Sequence, residues 1–160
     1  MSATFEDLRV LKITEENADS IWKRVAQWDE FARDVVGKQL ARSADSIGAN
    51  IAESFGRFHF GEKLQFLYFA RGSLFETKYW LNRVQARGLM PPAEVQQYVS
   101  QLTDLARQLN TFVNSLKTVR SSEQKQLKTL REFAAEYSVA DWEYFPESLF
   151  TDAELNWLNS

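Results

Sequence analysis

The sequence contains no cysteine and a single histidine among its 160 residues. Without cysteine there can be no disulfide framework, no thiolate nucleophile and no cysteine-ligated zinc or iron–sulfur site. With one imidazole, His59, the chain cannot form a multi-histidine metal site or the paired Glu-x-x-His motifs of di-iron helix bundles. We interpret His59, between Phe58 and Phe60, as a turn or surface residue, and we expect no metal or other cofactor.

Motifs for phosphate binding and nucleophilic catalysis are also missing. No Gly-x-x-x-x-Gly-Lys loop, Gly-x-Gly-x-x-Gly fingerprint or Gly-x-Ser-x-Gly elbow occurs in the sequence. An enzyme or small-ligand binder would therefore depend on carboxylates, lysines and tyrosines alone. We expect that the protein is not an enzyme.

Long apolar runs are absent as well. None approaches the roughly 20 residues that a membrane-spanning helix needs. The stretch from Met1 to Thr14 lacks the basic and apolar regions of a signal peptide. These patterns predict a soluble, cytoplasmic protein that does not bind a membrane.

What the sequence does contain is helical periodicity, with apolar residues recurring every three or four positions along four segments. The stripes run over residues 18–28, 40–55, 66–84 and 95–119. Because short connections place consecutive helices side by side, the pattern predicts an all-α, antiparallel up-and-down four-helix bundle over residues 1–120. Residues 121–160 are predicted to form a partly helical C-terminal extension.

Local signals mark the expected ends of these helices. Hydroxyl and acidic side chains cap helix N-termini, glycine favours C-termini, and proline suits a first turn. The predicted boundaries are Thr14 and Asp29 as caps of the first two helices, Gly56 as the end of the second, Gly61 and Gly88 as the limits of the third, and Pro91 and Pro92 at the start of the fourth. Ser121 and Ser122 leave open whether the fourth helix continues.

The C-terminal extension differs from the bundle in charge. Residues 1–120 carry 16 basic and 14 acidic side chains, whereas residues 121–160 carry 3 and 8. Thr151 and Glu154 have the spacing of a capping box, which predicts a short terminal helix. Four aromatic residues among the acids make the extension a candidate partner-binding tail: Trp142, Tyr144, Phe145 and Trp157.

Small and polar residues concentrate on the second and third helices. Gly48 and Gly72 each weaken a helix interior by about 1 kcal/mol relative to alanine, so we expect them to allow close approach of these two helices. Polar residues nearby predict a buried network that fixes helix register. Its candidates are Asn50, Glu53, Arg71, Ser73 and Glu76. The alternative is a polar site for a ligand or for a neighbouring subunit's arginine.

Basic residues gather around the third helix and are candidate contacts for RNA or DNA. They are Arg57, Lys63, Arg71, Lys78, Arg83 and Arg87. In one subunit this patch is thin, so an ordinary solvated face is the competing interpretation. Repetition in a ring would strengthen the attraction for phosphates, because each contact adds to it.

The same two helices carry a family resemblance. The stretch Ser46-Ile47-Gly48-Ala49-Asn50-Ile51-Ala52-Glu53 with Gly56-Arg57, and Ala70-Arg71-Gly72-Ser73-Leu74 with Glu76, resemble the four-helix-bundle family encoded by intervening sequences of bacterial 23S ribosomal RNA genes. Phe5-Glu6-Asp7-Leu8-Arg9-Val10 and Gln39-Leu40 are similar as well. The resemblance covers residues 5–120.

The resemblance implies a bacterial cytosolic protein that assembles as a homopentameric ring and is not an enzyme. The same structural family includes the accessory variability proteins of diversity-generating retroelements, which bind nucleic acid and a reverse transcriptase through a basic barrel. This sequence differs in Ser54, where glycine is expected, in its weakly basic bundle and in its acidic, aromatic tail.

Two functional hypotheses follow. The first is a non-enzymatic homo-oligomeric scaffold that binds nucleic acid or a nucleic-acid enzyme. The second is a protein-interaction module without nucleic-acid binding, whose tail grips another protein or an adjacent subunit.

Overall fold

All regular structure in the part of the chain described, residues 5–131 and 148–160 of a computed structural model, is helical. The all-α prediction is therefore confirmed. The helices are α1 (Phe5–Val25), α2 (Glu30–Ala32), α3 (Lys38–Gly56), α4 (Phe60–Ala86), α5 (Pro92–Arg131) and α6 (Asp152–Asn159), with a π-helical turn at Arg33–Gly37 between α2 and α3. No helix in these two ranges is both long and apolar enough to cross a membrane.

The long helices α1, α3, α4 and α5 bury their apolar stripes in one shared core. Leu40, Leu67 and Leu105 are among its fully buried residues. Contacts between the helices pair residues in opposite sequence order. Ser20 and Arg24 of α1 meet Tyr98 and Glu94 of α5, and Ser43 and Asn50 of α3 meet Thr77 and Ser73 of α4. The helices in each of these pairs therefore run in opposite directions.

Most of the predicted helix boundaries are confirmed. The Asp29 side chain accepts a hydrogen bond from the Ala32 amide and caps α2. At the end of α4, Gly88 takes a φ of 67°, and the following Leu89 amide donates to the Val84 carbonyl at 3.0 Å. That positive φ suits glycine, which has no Cβ to clash. The capping box of Thr151 and Glu154 is formed as predicted.

One predicted helix start is wrong, and one helix end that the sequence left open is decided by the structure. Thr14 does not cap a helix start. It lies inside α1, where its hydroxyl donates to the Val10 carbonyl at 2.9 Å. At the other end of the bundle, α5 continues without a break through Ser121 and Ser122. The boundary at residue 120 between the two predicted domains therefore lies within a helix.

The predicted role of the helical glycines was wrong. A Cβ on Gly48 would meet the Thr14 side chain of α1 at 3.2 Å, whereas a Cβ on Gly72 would meet nothing within 4 Å. Neither glycine brings α3 close to α4. The crowded position is Gly37 in the π-helical turn, where an added Cβ would lie 2.5 Å from Val25 Cγ1 and 3.3 Å from the Trp28 ring.

We expect the substitutions Gly37→Ala and Gly72→Ala to change stability in opposite directions. Gly37→Ala should destabilise the protein by about 1–2 kcal/mol, because overpacking outweighs the better helix propensity of alanine. Gly72→Ala should stabilise it by about 0.5–1 kcal/mol, since the methyl group meets open space in a helix interior. Urea unfolding measures both. Equal effects of the two variants would contradict the packing at Gly37.

Candidate functional site

The six basic residues predicted to contact nucleic acid are spread along the length of α4. From Lys63 to Arg87 the helix rises about 36 Å at 1.5 Å per residue. Arg57 lies between α3 and α4, Lys63 in the first turn of α4, Arg71 and Lys78 mid-helix, Arg83 in the last turn, and Arg87 just beyond it. One subunit therefore does not bring the six side chains into a single patch.

The turn between α3 and α4 borders a cavity of about 530 Å³, which we call the turn cleft. It is lined by residues 55–60, Lys63, Leu116 and Arg120. The turn forms because α3 ends at Gly56 and Arg57 adopts extended backbone angles before α4 begins. α5 passes close enough for the Phe55 and Phe112 rings to lie 5.4 Å apart, and its Leu116 and Arg120 line one side of the cleft.

Three cationic side chains are held at the turn cleft. The Lys63 ammonium donates to the Ser54 and Phe55 carbonyls at 3.3 Å, where the negative end of the α3 dipole favours a cation. The Arg120 guanidinium lies 4.6 Å from the centre of the Phe60 ring. Arg57 lies 4.6 Å from the Phe66 ring and forms an ion pair with Glu53. The described lining residues contribute no carboxylate.

The turn cleft also carries an exposed aromatic ring. Phe58 is 91% exposed, and its ring meets the His59 ring edge-on at 5.4 Å. His59 is exposed and lies in the turn that precedes α4, as the sequence predicts.

The second surface is formed where residues 148–160, here called the docked segment, pack against α4 and α5. Asn110 of α5 binds both backbone groups of Phe150. Its amide nitrogen donates to the Phe150 carbonyl at 2.8 Å, and its oxygen accepts from the Phe150 amide at 2.7 Å. Gln96 Nε2 donates to the Asn159 carbonyl at 3.4 Å at the other end of the segment. Since Asn110 mimics a peptide group, it recognises backbone rather than a particular side chain.

Arg71 of α4 makes the charged contact with the docked segment. Its Nε donates to the Leu149 carbonyl at 2.9 Å, and its terminal nitrogen pairs with the Glu154 carboxylate. The neighbouring Phe75 ring stacks on Phe150 at 5.9 Å and on Trp157 at 5.4 Å. Arg71 is thus engaged with the C-terminus of its own chain.

Lys78 lies about two turns beyond Arg71 on α4 and is only 3% exposed. Its ammonium is 6.0 Å from the centre of the Trp157 ring. Burial lowers the pKa of Lys78 below its ordinary value, because water no longer solvates the charged form as well. The residue is covered rather than presented to solvent.

The last two candidate contacts differ in exposure. Arg83 lies 5.8 Å from the Tyr79 ring, and its Nε is buried without a hydrogen-bond partner among the described residues. Arg87 is exposed where α4 ends.

The five residues predicted to form a polar network are only partly brought together. Asn50 of α3 donates to the Ser73 hydroxyl of α4 at 3.4 Å, so this pair does bridge the two helices. Glu53 pairs with Arg57 on its own helix, and Glu76 accepts from the Trp80 indole at 3.4 Å. A second bridge, from the Thr77 hydroxyl to the Ser43 hydroxyl at 3.1 Å, is fully buried.

An acidic cavity of about 410 Å³ lies between α1 and α3, beside the small residues of the α3 motif. Glu15, Asp19 and Asp45 line it. Burial and the nearby Asp19 charge raise the pKa of Asp45. Within residues 5–131 and 148–160, no group of three or more His, Cys, Asp or Glu side chains is arranged so that it could hold a metal ion.

Of the four residues predicted as a partner-binding tail, only Trp157 lies within the described residues. It is 45% exposed, with one ring face on Phe75. Trp142, Tyr144 and Phe145 lie outside the described residues.

Sequence reasoning missed Asn110, Phe75 and Arg120. Each sits in a regular helical pattern, and its partner is distant in sequence or in another element. Asn110 is a weak signal in the sequence, because α5 carries many polar side chains, among them the exposed Asn114. The acid in the capping box was recognised, but its pairing with Arg71 was not.

Comparisons with known proteins relate this chain to one protein family and to solved structures. The model of the family described as 23S rRNA-intervening sequence protein matches residues 6–111. The crystal structure of a protein of unknown function from the S23 ribosomal protein family of Bacteroides thetaiotaomicron VPI-5482 is similar, with a TM-score of 0.62 and 25% identity. The alignment covers 68% of this chain and 98% of that one. No curated protein matches the sequence.

We expect Lys78→Met to stabilise the protein at neutral pH. The folded-state pKa of Lys78 lies below the unfolded value of 10.5, so the folded state binds fewer protons between those two pKa values. Stability of the native protein should therefore rise with pH across that window, and the advantage of the methionine variant should shrink there. Urea midpoints at neutral and alkaline pH measure this effect. Lys12→Met, at an exposed site on α1, is the control.

If Lys78→Met is instead less stable than the native protein at neutral pH, the contact with Trp157 outweighs the desolvation of the ammonium.

Proposed function

Since the chain belongs to the family of 23S rRNA-intervening sequence proteins, we propose that it is a non-enzymatic homopentameric scaffold that binds nucleic acid or a nucleic-acid enzyme such as a reverse transcriptase. The family match confirms the resemblance found in the motifs of α3 and α4. It assigns no molecular role, and the similar solved protein is described as of unknown function. The proposal therefore depends on the surfaces of this chain.

The observation that carries the proposal is the turn cleft. Arg57, Lys63 and Arg120 place three positive charges around one cavity, and Glu53 is the one acid paired with them among the described residues. Helix carbonyls hold Lys63 and an aromatic ring holds Arg120, and neither cation forms an ion pair with an acid whose side chain the structure describes. A phosphate group that entered the cleft would contact cations that these interactions already hold in position. A ring of subunits would repeat the cleft and increase the attraction for a polyanion.

Exposed apolar residues support assembly. Trp22, Phe31 and Val35 all lie in the stretch that ends α1 and leads into α3, and all are exposed in the single chain. Large apolar side chains that are clustered at a surface mark sites where another protein packs. We take this stretch as the region through which subunits associate.

A second function, a protein-interaction module, is favoured by the docked segment. The α4–α5 surface recognises an acidic, aromatic peptide through Asn110, Arg71 and Phe75. In the single chain the ligand is the protein's own C-terminus. The same contacts would serve between adjacent subunits, or between this tail and another protein's basic surface.

The scaffold proposal predicts binding to nucleic acid that weakens steeply with salt. Electrophoretic shift on single- and double-stranded RNA and DNA should detect complexes at low salt, and native mass measurement should give a pentamer. Absence of binding to all four nucleic acids would remove that part of the proposal. A monomeric mass would remove the assembly part.

The interaction-module proposal predicts a specific effect of Asn110→Ala. Loss of both hydrogen bonds to Phe150 should weaken docking by about 1–3 kcal/mol, because the peptide groups lose their protein partner. Hydrogen exchange should accelerate in residues 148–160 and not in the core. Asn114→Ala, one turn along α5 at an exposed position, is the matched control.

If the tail joins subunits or captures a partner, Asn110→Ala should also change the native particle mass or the set of co-purified proteins. An unchanged particle mass together with an unchanged set of co-purified proteins would rule out the interaction module as the function.

A further inference from the structure

The turn cleft combines two chemical features that different ligands would use separately. Its cations suit any polyanion, and its exposed ring suits any flat apolar group. A nucleotide carries both, because a phosphate is attached through the sugar to an aromatic base. One nucleotide would use both features if the cleft offers the ring to its base and the cations to its phosphate.

The geometry of the cleft meets this requirement. Phe58 follows Arg57 in the extended link between the helices, so its ring stands beside the cations rather than among the core side chains. Lys63 is tied to the end of α3 and Arg120 rests on Phe60, which places both cations on the walls of the same cavity. At about 530 Å³ the cavity has the size of a small-molecule site.

The exposure of Phe58 is the second part of the argument. A phenylalanine left in water forgoes the roughly 1.5–3 kcal/mol that burial of its side chain provides. Stacking of a base on the aromatic ring buries it and so recovers this stabilisation. Any base can stack there, because every base has a π-face. Bases within a duplex are stacked on one another and do not offer a free face to a protein ring. An unpaired nucleotide fits the cleft better than a duplex does.

We propose that the turn cleft binds an unpaired nucleotide of single-stranded RNA or DNA, with the base stacked on Phe58 and the adjacent phosphates contacting Arg57, Lys63 and Arg120. The inference rests on the proposed nucleic-acid function and specifies where and in what form the strand is bound. It predicts a preference for single strands over duplexes of the same length. In a ring, each subunit would hold one such nucleotide.

Fluorescence anisotropy with labelled oligouridylate, oligothymidylate and a duplex of equal length tests the proposal on the full chain. Phe58→Ala should weaken binding of the single strands about tenfold and leave duplex binding unchanged, since only the stacking platform is lost. Tyr79→Ala, which removes a ring that is 53% exposed on α4 and lies outside the turn cleft, is the matched control and should bind as the native protein does.

A second pair of variants tests the phosphate contact. Arg120→Gln should weaken binding of the strands and reduce the slope of log affinity against log salt by about one. Arg107→Gln, at an exposed position on the same helix, should change the slope less. Circular dichroism and native mass verify that each variant folds and assembles as the native protein does.

The outcomes separate the two proposals. If the native protein binds no nucleic acid, the nucleic-acid part of the proposed function fails and the cleft assignment fails with it. If the native protein binds single strands and both Phe58→Ala and Arg120→Gln bind equally well, the proposed function stands and the cleft is the wrong site. If Phe58→Ala weakens single strands and duplexes alike, the base does not stack there, and the assignment of an unpaired nucleotide is overturned. A difference between RNA and DNA would identify the preferred strand.

Discussion

Burial of the four apolar stripes in one core is the constraint on which the rest of this structure depends. No single helix can remove its stripe from water alone, so α1, α3, α4 and α5 are stable only together. Once they pack, the core decides which positions remain available for other contacts. α4 is buried on more than one side, since it packs on α3, on α5 and beneath the docked segment. This is why Arg71 and Lys78 do not share the exposure of Arg87.

Packing of the core also determines which basic residues of α4 line the turn cleft and which ones the docked segment covers. α4 is long and carries basic residues from its first turn to its last. The parts of the protein that surround these residues differ along the helix. At the N-terminal end the turn from α3 and the passing α5 create the turn cleft, to which α5 contributes Arg120. In the middle, the docked segment supplies Glu154 and covers Lys78 with Trp157. A basic helix is therefore not a uniform basic surface.

The docked segment shows how a weakly apolar peptide is held on a bundle. Phe150 and Leu158 are buried, but polar side chains, Asn110, Arg71 and Gln96, provide contacts with its backbone. These bonds satisfy peptide groups that would otherwise be shielded from water without a partner. Such an arrangement depends on the peptide groups that precede α6, on the acid and on the aromatic rings of the docked segment. The same arrangement can accept a segment from its own chain or from another.

Much of the secondary structure and fold class could be read from the sequence alone. The periodicity of the stripes, the cap at Asp29, the glycine at Gly88, the proline at the start of α5 and the capping box at Thr151 all act within about four residues, so they are visible locally. The contacts that define the candidate site act over much longer separations. Arg71 pairs with Glu154, and Gly48 packs against Thr14 rather than against α4. Which side chains face each other across helices depends on how the core packs as a whole, and only the tertiary structure decided it.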